Sequence, residues 1–133
     1  MKEFLWPVRV YYEDTDSGGV VYYANYLKFM ERARTEWLRS YGYEQDELNK
    51  KEGVIFAVRA IQVDYLKPAR FNDLLQVNVQ VKQLGRASIT FNQTITLAEG
   101  DGSALCSGQI KIACLDSQTL RPVPIPGSMS FAE

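Results

Sequence analysis

Three stretches in the second half of the chain repeat with a period of two. Leu75, Val77, Val79 and Val81 alternate with Gln76, Asn78, Gln80 and Lys82. Ala87, Ile89, Phe91, Ile95 and Leu97 alternate with Ser88, Thr90, Asn92, Thr94 and Thr96. Ala104, Cys106, Ile110 and Ile112 alternate with Ser107, Gln109 and Lys111. Successive side chains of a strand point to opposite faces, so each stretch predicts a strand with one apolar and one polar face. Leu84-Gly85-Arg86 and Glu99-Gly100-Asp101-Gly102 separate the three and are short enough for antiparallel hairpins. A longer run, Val54–Tyr65, is apolar on both faces at its start, and Pro68 stops the connection after it. Val8–Tyr12, rich in strand formers and preceded by Pro7, predicts a first strand.

The period changes once. From Tyr22–Asn25 to Tyr41-Gly42 the pattern is helical, with Gly42 suited to a C-terminal cap and Arg39 to the last turn. Tyr22, Tyr23, Tyr26, Leu27, Phe29, Met30, Ala33, Trp37, Leu38 and Tyr41 fall within roughly half the circumference. Arg34 lies inside that apolar arc, and Glu31 with Arg34 and Glu36 with Arg39 are spaced to pair. An apolar face this broad suits a sheet that curls around the helix. Tyr43–Gly53 predicts a short helical or turn segment. Three of the five prolines (Pro122, Pro124 and Pro126) punctuate the end of the chain, so residues 118–133 are expected to form an extended or loose tail. The prediction is an α+β fold, one long central helix wrapped by a five-stranded or longer antiparallel sheet. Such a sheet leaves edges that pairing into a homo-oligomer, dimer or tetramer, would cover.

Composition narrows the function. With 133 residues the chain makes one domain, and 46% hydrophobic and 23% charged residues are globular values. A net charge of −1 gives no general field for nucleic acid or an anionic membrane. No apolar run reaches the ~20 residues of a membrane span, and Met1-Lys2-Glu3-Phe4 lacks a signal-peptide core, so a cytoplasmic protein is expected. Cys106 and Cys114 sit eight residues apart in one strand, about 26 Å, far beyond disulfide reach, and read as buried thiols. The chain has no histidine, which excludes Ser-His-Asp and Cys-His nucleophilic catalysis and imidazole-bound zinc.

Chemistry therefore falls to carboxylates, hydroxyls, cationic side chains and backbone groups. One stretch concentrates them: Asp14-Thr15-Asp16-Ser17-Gly18-Gly19-Val20-Val21-Tyr22-Tyr23-Ala24-Asn25-Tyr26. An acidic pair and a Gly-Gly turn lead into a helix start, whose unpaired N–H groups suit a developing oxyanion. The spacing also imitates the opening of a calcium loop, but Gly18 offers no ligand at the fifth position and Asn25 replaces Glu at the twelfth. No metal is expected, and Asp14 reads as a cap for the turn.

Val10–Tyr26 followed by Glu31-Arg32-Ala33-Arg34-Thr35-Glu36 closely resembles the hotdog-fold acyl-CoA thioesterases. The nearest group is the YbgC-type enzymes of the Tol–Pal gene neighbourhood, within the 4-hydroxybenzoyl-CoA thioesterase family. The resemblance continues through Val63-Asp64-Tyr65, Pro68-Ala69-Arg70 and Gly85-Arg86-Ala87-Ser88. It implies a single hotdog thioesterase domain over residues 1–133, hydrolysing short-chain or aromatic acyl-CoA, with acyl carrier protein as an alternative carrier. No cofactor is implied, since coenzyme A is part of the substrate. Asp16 matches the family's essential carboxylate, as nucleophile or general base. Tyr23 matches the residue whose backbone N–H polarises the thioester carbonyl. Gly19, Val20, Tyr26, Arg86 and Ser88 match substrate-binding positions, Arg86 at the coenzyme A phosphates. Many YbgC-type enzymes have His where this chain has Tyr23, whereas the 4-hydroxybenzoyl-CoA enzymes have Tyr. Apart from the resemblance, the competing function is a non-catalytic acyl-CoA or lipid-binding module. A hotdog dehydratase would need the histidine this chain lacks.

Overall fold

The computed structural model describes residues 3–131. Met1 and Lys2 of the expected leaderless start, and residues 132 and 133 of the expected tail, lie outside them. Five strands form one antiparallel sheet: β1 (Phe4–Arg9), β2 (Val54–Tyr65), β3 (Leu74–Leu84), β4 (Ser88–Leu97) and β5 (Ala104–Asp116). Their order across the sheet is β1-β3-β4-β5-β2, so β1 and β2 are its edges. Helix α1 (Asn25–Ser40) lies against the apolar face, and a short helix α2 (Gln45–Glu52) leads into β2. This is the hotdog fold.

The alternating residues behave as the period-two rule requires. Leu75, Val77, Val79, Ile89, Phe91, Ile95, Cys106, Ile110, Ile112 and Cys114 are all buried. They meet Tyr26, Phe29, Met30, Ala33, Trp37 and Leu38 from α1. Both cysteines are free and buried, and burial pushes the Cys106 thiol up to about 11. That leaves it protonated and unreactive near neutrality. The Glu36–Arg39 pair forms, with Arg39 also reaching Glu44. Gly42 takes a positive φ of 89° just beyond α1, as a left-handed C-terminal position demands.

Three expectations are corrected. The first strand is Phe4–Arg9 rather than Val8–Tyr12, with Pro7 inside it. Proline is tolerated there because β1 is an edge, where its missing N–H breaks no inner ladder. Beyond it the chain turns through one 3-10 turn, Tyr12–Asp14, because the buried Asp14 carboxylate accepts the Tyr11 N–H at 2.8 Å. Secondly, Tyr22 and Tyr23 precede α1 and are exposed, so the aromatic stripe loses its first two core members. Thirdly, Arg34 does not pair with Glu31; it points inward and donates from Nη1 to the Gln93 side-chain oxygen at 2.9 Å. Gln93 interrupts the alternation of β4 on the apolar face, and its amide donates in turn to the Met30 and Asn78 carbonyls. One polar group in the core thus explains the other.

Of the two forms expected for the tail, its described residues take the extended one, and they are tied down. After a reversal at 116–120 the Val123 N–H donates to the Cys114 carbonyl and the Ile125 N–H to the Arg86 carbonyl. Phe131 is buried, stacked on Trp37 with centroids 5.0 Å apart and meeting Tyr41 and Tyr43 edge-on.

Candidate active site

Asp16 sits at the tip of a tight loop closed by a bridge between Thr15 and Val21. Its N–H donates to the Val20 carbonyl and its carbonyl accepts from Gly19, at 2.9 and 3.0 Å. Gly19 has φ 78°, a left-handed conformation that a side chain resists. A Cβ at Gly18 would stand 3.2 Å from Asp16 Oδ1, so the Gly-Gly pair is what lets the loop close around the carboxylate. The Gly18 N–H donates to Oδ1 at 2.8 Å and fixes the side chain. Among the described residues none donates to Oδ2, and Asp16 is exposed. One oxygen is held and the other is free to react.

The loop is tied to its surroundings on both sides. Val20 bridges Arg70, and the Val21 N–H donates to the Ala69 carbonyl at 2.8 Å. The Tyr22 N–H and the Asn25 side-chain amide both donate to the Asp14 carbonyl, which brings the start of α1 against the loop. Tyr23 lies two residues before the first residue of α1, and its N–H has no acceptor among the described residues. This N–H stands unpaired just ahead of α1, near the positive end of the helix. The Tyr23 side chain is 60% exposed, leaning on Tyr22 and meeting Tyr65 edge-on at 6.1 Å. Tyr26 is buried behind the loop, where its hydroxyl accepts the Ala69 N–H at 3.0 Å. Burial raises the pKa of both the Tyr26 and Tyr65 hydroxyls, so both stay protonated at neutral pH.

Asp16, Gly19, Val20, Tyr23 and Tyr26 are therefore brought together. Arg86 and Ser88 are not. Tyr65, beside Tyr23, pairs with Cys106, while Ser88 pairs with Ala113 on the same strand. Seven residues of β5 separate the two ends, about 23 Å. Arg86 is exposed in the β3–β4 turn, and Ser88 starts β4.

Two features of the site were not assigned from sequence. Tyr65 is the wall against which Tyr23 and Tyr26 rest, and its position at the end of a strand before Pro68 was the available signal. A cavity of about 360 Å³ opens between α1 and β2, lined by Glu31, Arg34, Thr35, Phe56, Val58 and Ile112 among others. Helix α1 crosses toward β1 and β3, leaving the β2 side of the apolar face partly uncovered, which no single-strand pattern reveals. Val58, Ile61 and Tyr65 are consequently 48%, 44% and 46% exposed along this edge. Among the described residues no group of three or more potential metal ligands occurs, and no helix is long and apolar enough to cross a membrane.

Comparison with known proteins gives a consistent picture. Residues 10–132 match the Thioesterase-like superfamily. The chain is 43% identical over 126 residues to the acyl-CoA thioester hydrolase YbgC of Escherichia coli O6:H1, covering 95% of this chain and 92% of that one. It is 41% identical over 129 residues to the acyl-CoA thioesterase YbgC of Haemophilus influenzae, covering 97% and 93%. Among solved structures, a 1,4-dihydroxy-2-naphthoyl-CoA thioesterase from Synechocystis superposes with a TM-score of 0.86 at 25% identity, covering 94% of this chain and 90% of that one.

Proposed function

The chain belongs to the Thioesterase-like superfamily and is an acyl-CoA thioester hydrolase, and from that premise we propose that Asp16 and the Tyr23 N–H perform its chemistry. The observation that carries this reading is the pairing of an unengaged carboxylate oxygen with an unengaged helix-start N–H in one short, tied loop. The N–H receives the thioester carbonyl oxygen as charge builds on it. Asp16 Oδ2 then has two routes. It attacks the carbonyl carbon, expelling the thiolate and leaving a mixed anhydride that water opens, or it takes a proton from the attacking water. The chain has no histidine, and the Asp14 carboxylate is buried on the Tyr11 N–H, which leaves Asp16 as the exposed acid of the loop closed by Thr15 and Val21.

The separation of Arg86 and Ser88 from Asp16 is met by a second copy of the chain. β2 is a 12-residue edge strand with exposed apolar side chains, whereas β1 carries Pro7. Antiparallel pairing of two β2 edges brings the Asp16 end of one copy toward the cavity and the Arg86 end of the other. The acyl group then occupies the α1–β2 cavity, whose Phe56, Val58 and Ile112 suit short or aromatic acyl chains. Arg86 faces the coenzyme A phosphates, and carrier-protein thioesters are the alternative substrate. This reading places the enzyme in the cytoplasm.

Thiol release from a panel of acyl-CoAs is the test. Asp16→Asn is expected to lower turnover by at least about 100-fold while acyl-CoA binding persists. Wild-type protein that binds acyl-CoA but releases no thiol would instead establish a binding module.

A further inference from the structure

The tail contains a proline at every second position: Pro122, Val123, Pro124, Ile125, Pro126. Only two of these five residues carry a backbone N–H, and both are used. Val123 donates to Cys114 of β5 at 2.9 Å, and Ile125 donates to Arg86 in the β3–β4 turn at 2.8 Å. The segment is a strap laid across two neighbouring ends of the sheet, and its prolines leave no donors for a further strand. The Cys114 N–H donates to Ala87 at 2.8 Å, so two successive carbonyls of the turn, Arg86 and Ala87, are both held.

The far end of the strap is anchored in an aromatic cage. Phe131 is enclosed by Trp37, Tyr41 and Tyr43, and the Tyr43 hydroxyl donates to the Ser130 carbonyl at 2.9 Å. Val123 and Ile125 pack on the core between these two attachments. The result is an exposed arginine side chain on a backbone that is fixed from two sides. A fixed backbone reduces what binding must spend on ordering a long, flexible side chain.

We infer that Ile125 and Phe131 are positioning residues for the phosphate end of the substrate: the strap they tie down holds the Arg86 backbone in place. This rests on the assignment of Arg86 to the coenzyme A phosphates. Because the strap bonds to the Arg86 and Cys114 carbonyls and to neither Asp16 nor the Tyr23 N–H, it acts on KM and leaves kcat alone.

The test compares an acyl-CoA with the acyl-pantetheine thioester of the same acid, which lacks the nucleotide phosphates. Phe131→Ala and Ile125→Pro are expected to raise KM for acyl-CoA about three- to tenfold, with kcat within twofold and no change toward acyl-pantetheine. Phe131→Leu, which refills the cage, should recover most of the loss. Adding Phe131→Ala to Arg86→Ala should raise KM no further than Arg86→Ala does. An Arg86→Ala enzyme with unchanged KM removes Arg86 from the phosphate site and fails the underlying assignment. If Arg86→Ala raises KM and Phe131→Ala does not, the strap inference alone is overturned. Equal losses on both substrates in Phe131→Ala and Ile125→Pro would also overturn it, since they would show a general folding role.

Discussion

Replacing Gln93 with Leu should cost this protein more than any comparable change on the polar face of the sheet. Gln93 is fully buried and is the hydrogen-bond acceptor for the Arg34 guanidinium, itself only 8% exposed. Burial pushes the Arg34 pKa down from the usual guanidinium value to about 10, with Glu31 pulling it partly back, so the group stays charged at neutral pH. That depression corresponds to about 3 kcal/mol spent holding a cation in the core. The folded-state value is the lower one, so the penalty is complete below about pH 10 and fades as pH rises above it. Gln93→Leu keeps the cation and removes its acceptor, which costs about 2–3 kcal/mol, or roughly 10 °C in Tm for a domain of this size. The double variant Arg34→Met/Gln93→Leu removes both polar groups and should return to within about 1 kcal/mol of the parent, or exceed it. Urea unfolding followed by tryptophan fluorescence, at one fixed protein concentration, measures all three. A Gln93→Leu protein within about 0.5 kcal/mol of the parent would refute the argument, as would a double variant no more stable than the single one.

Three further outcomes follow from the site. Tyr23→Phe should keep kcat, since the N–H remains, whereas Tyr23→Pro should lower it about 100- to 1000-fold; equal effects would show that the side chain, not the N–H, does the chemistry. Ile61→Lys on the exposed β2 edge should give a folded monomer by light scattering and circular dichroism, with thiol release lost; a fully active monomer would show the site to be complete in one chain. Gly19→Ala should destabilise the protein by about 1 kcal/mol through its positive φ alone, since no atom lies within 4 Å of the new Cβ. Gly19→Asn, which tolerates that conformation, should recover much of it, and equal losses in both would point to a clash instead.

Much of this molecule is written locally. The alternation in β3, β4 and β5 specified which residues are buried, because the side-chain period of a strand is independent of what it packs against. The broad apolar arc of α1 specified a curved partner, and the Asp-rich, Gly-Gly loop before it specified where an acid and an unpaired N–H would meet. The absence of histidine confined the candidate chemistry to carboxylates, hydroxyls, cationic side chains and backbone groups, and the resemblance singled out Asp16 among them. The tertiary structure decided what depends on distant residues coming together. Arg34 and Gln93 each violate a local pattern, and only the packing of α1 on β4 shows that they satisfy one another. Prolines left the tail to be read as extended or loose, and only the fold shows that the two N–H groups of residues 122–126 find carbonyls supplied by β5 and the β3–β4 turn. Tyr22 and Tyr23 fitted a helical stripe by period, but Asp14 bends the chain first and leaves them exposed beside Asp16. Sheet order, finally, put Arg86 and Asp16 at opposite ends of one chain, because register along β5 is fixed by hydrogen bonds between strands that the sequence of neither strand contains.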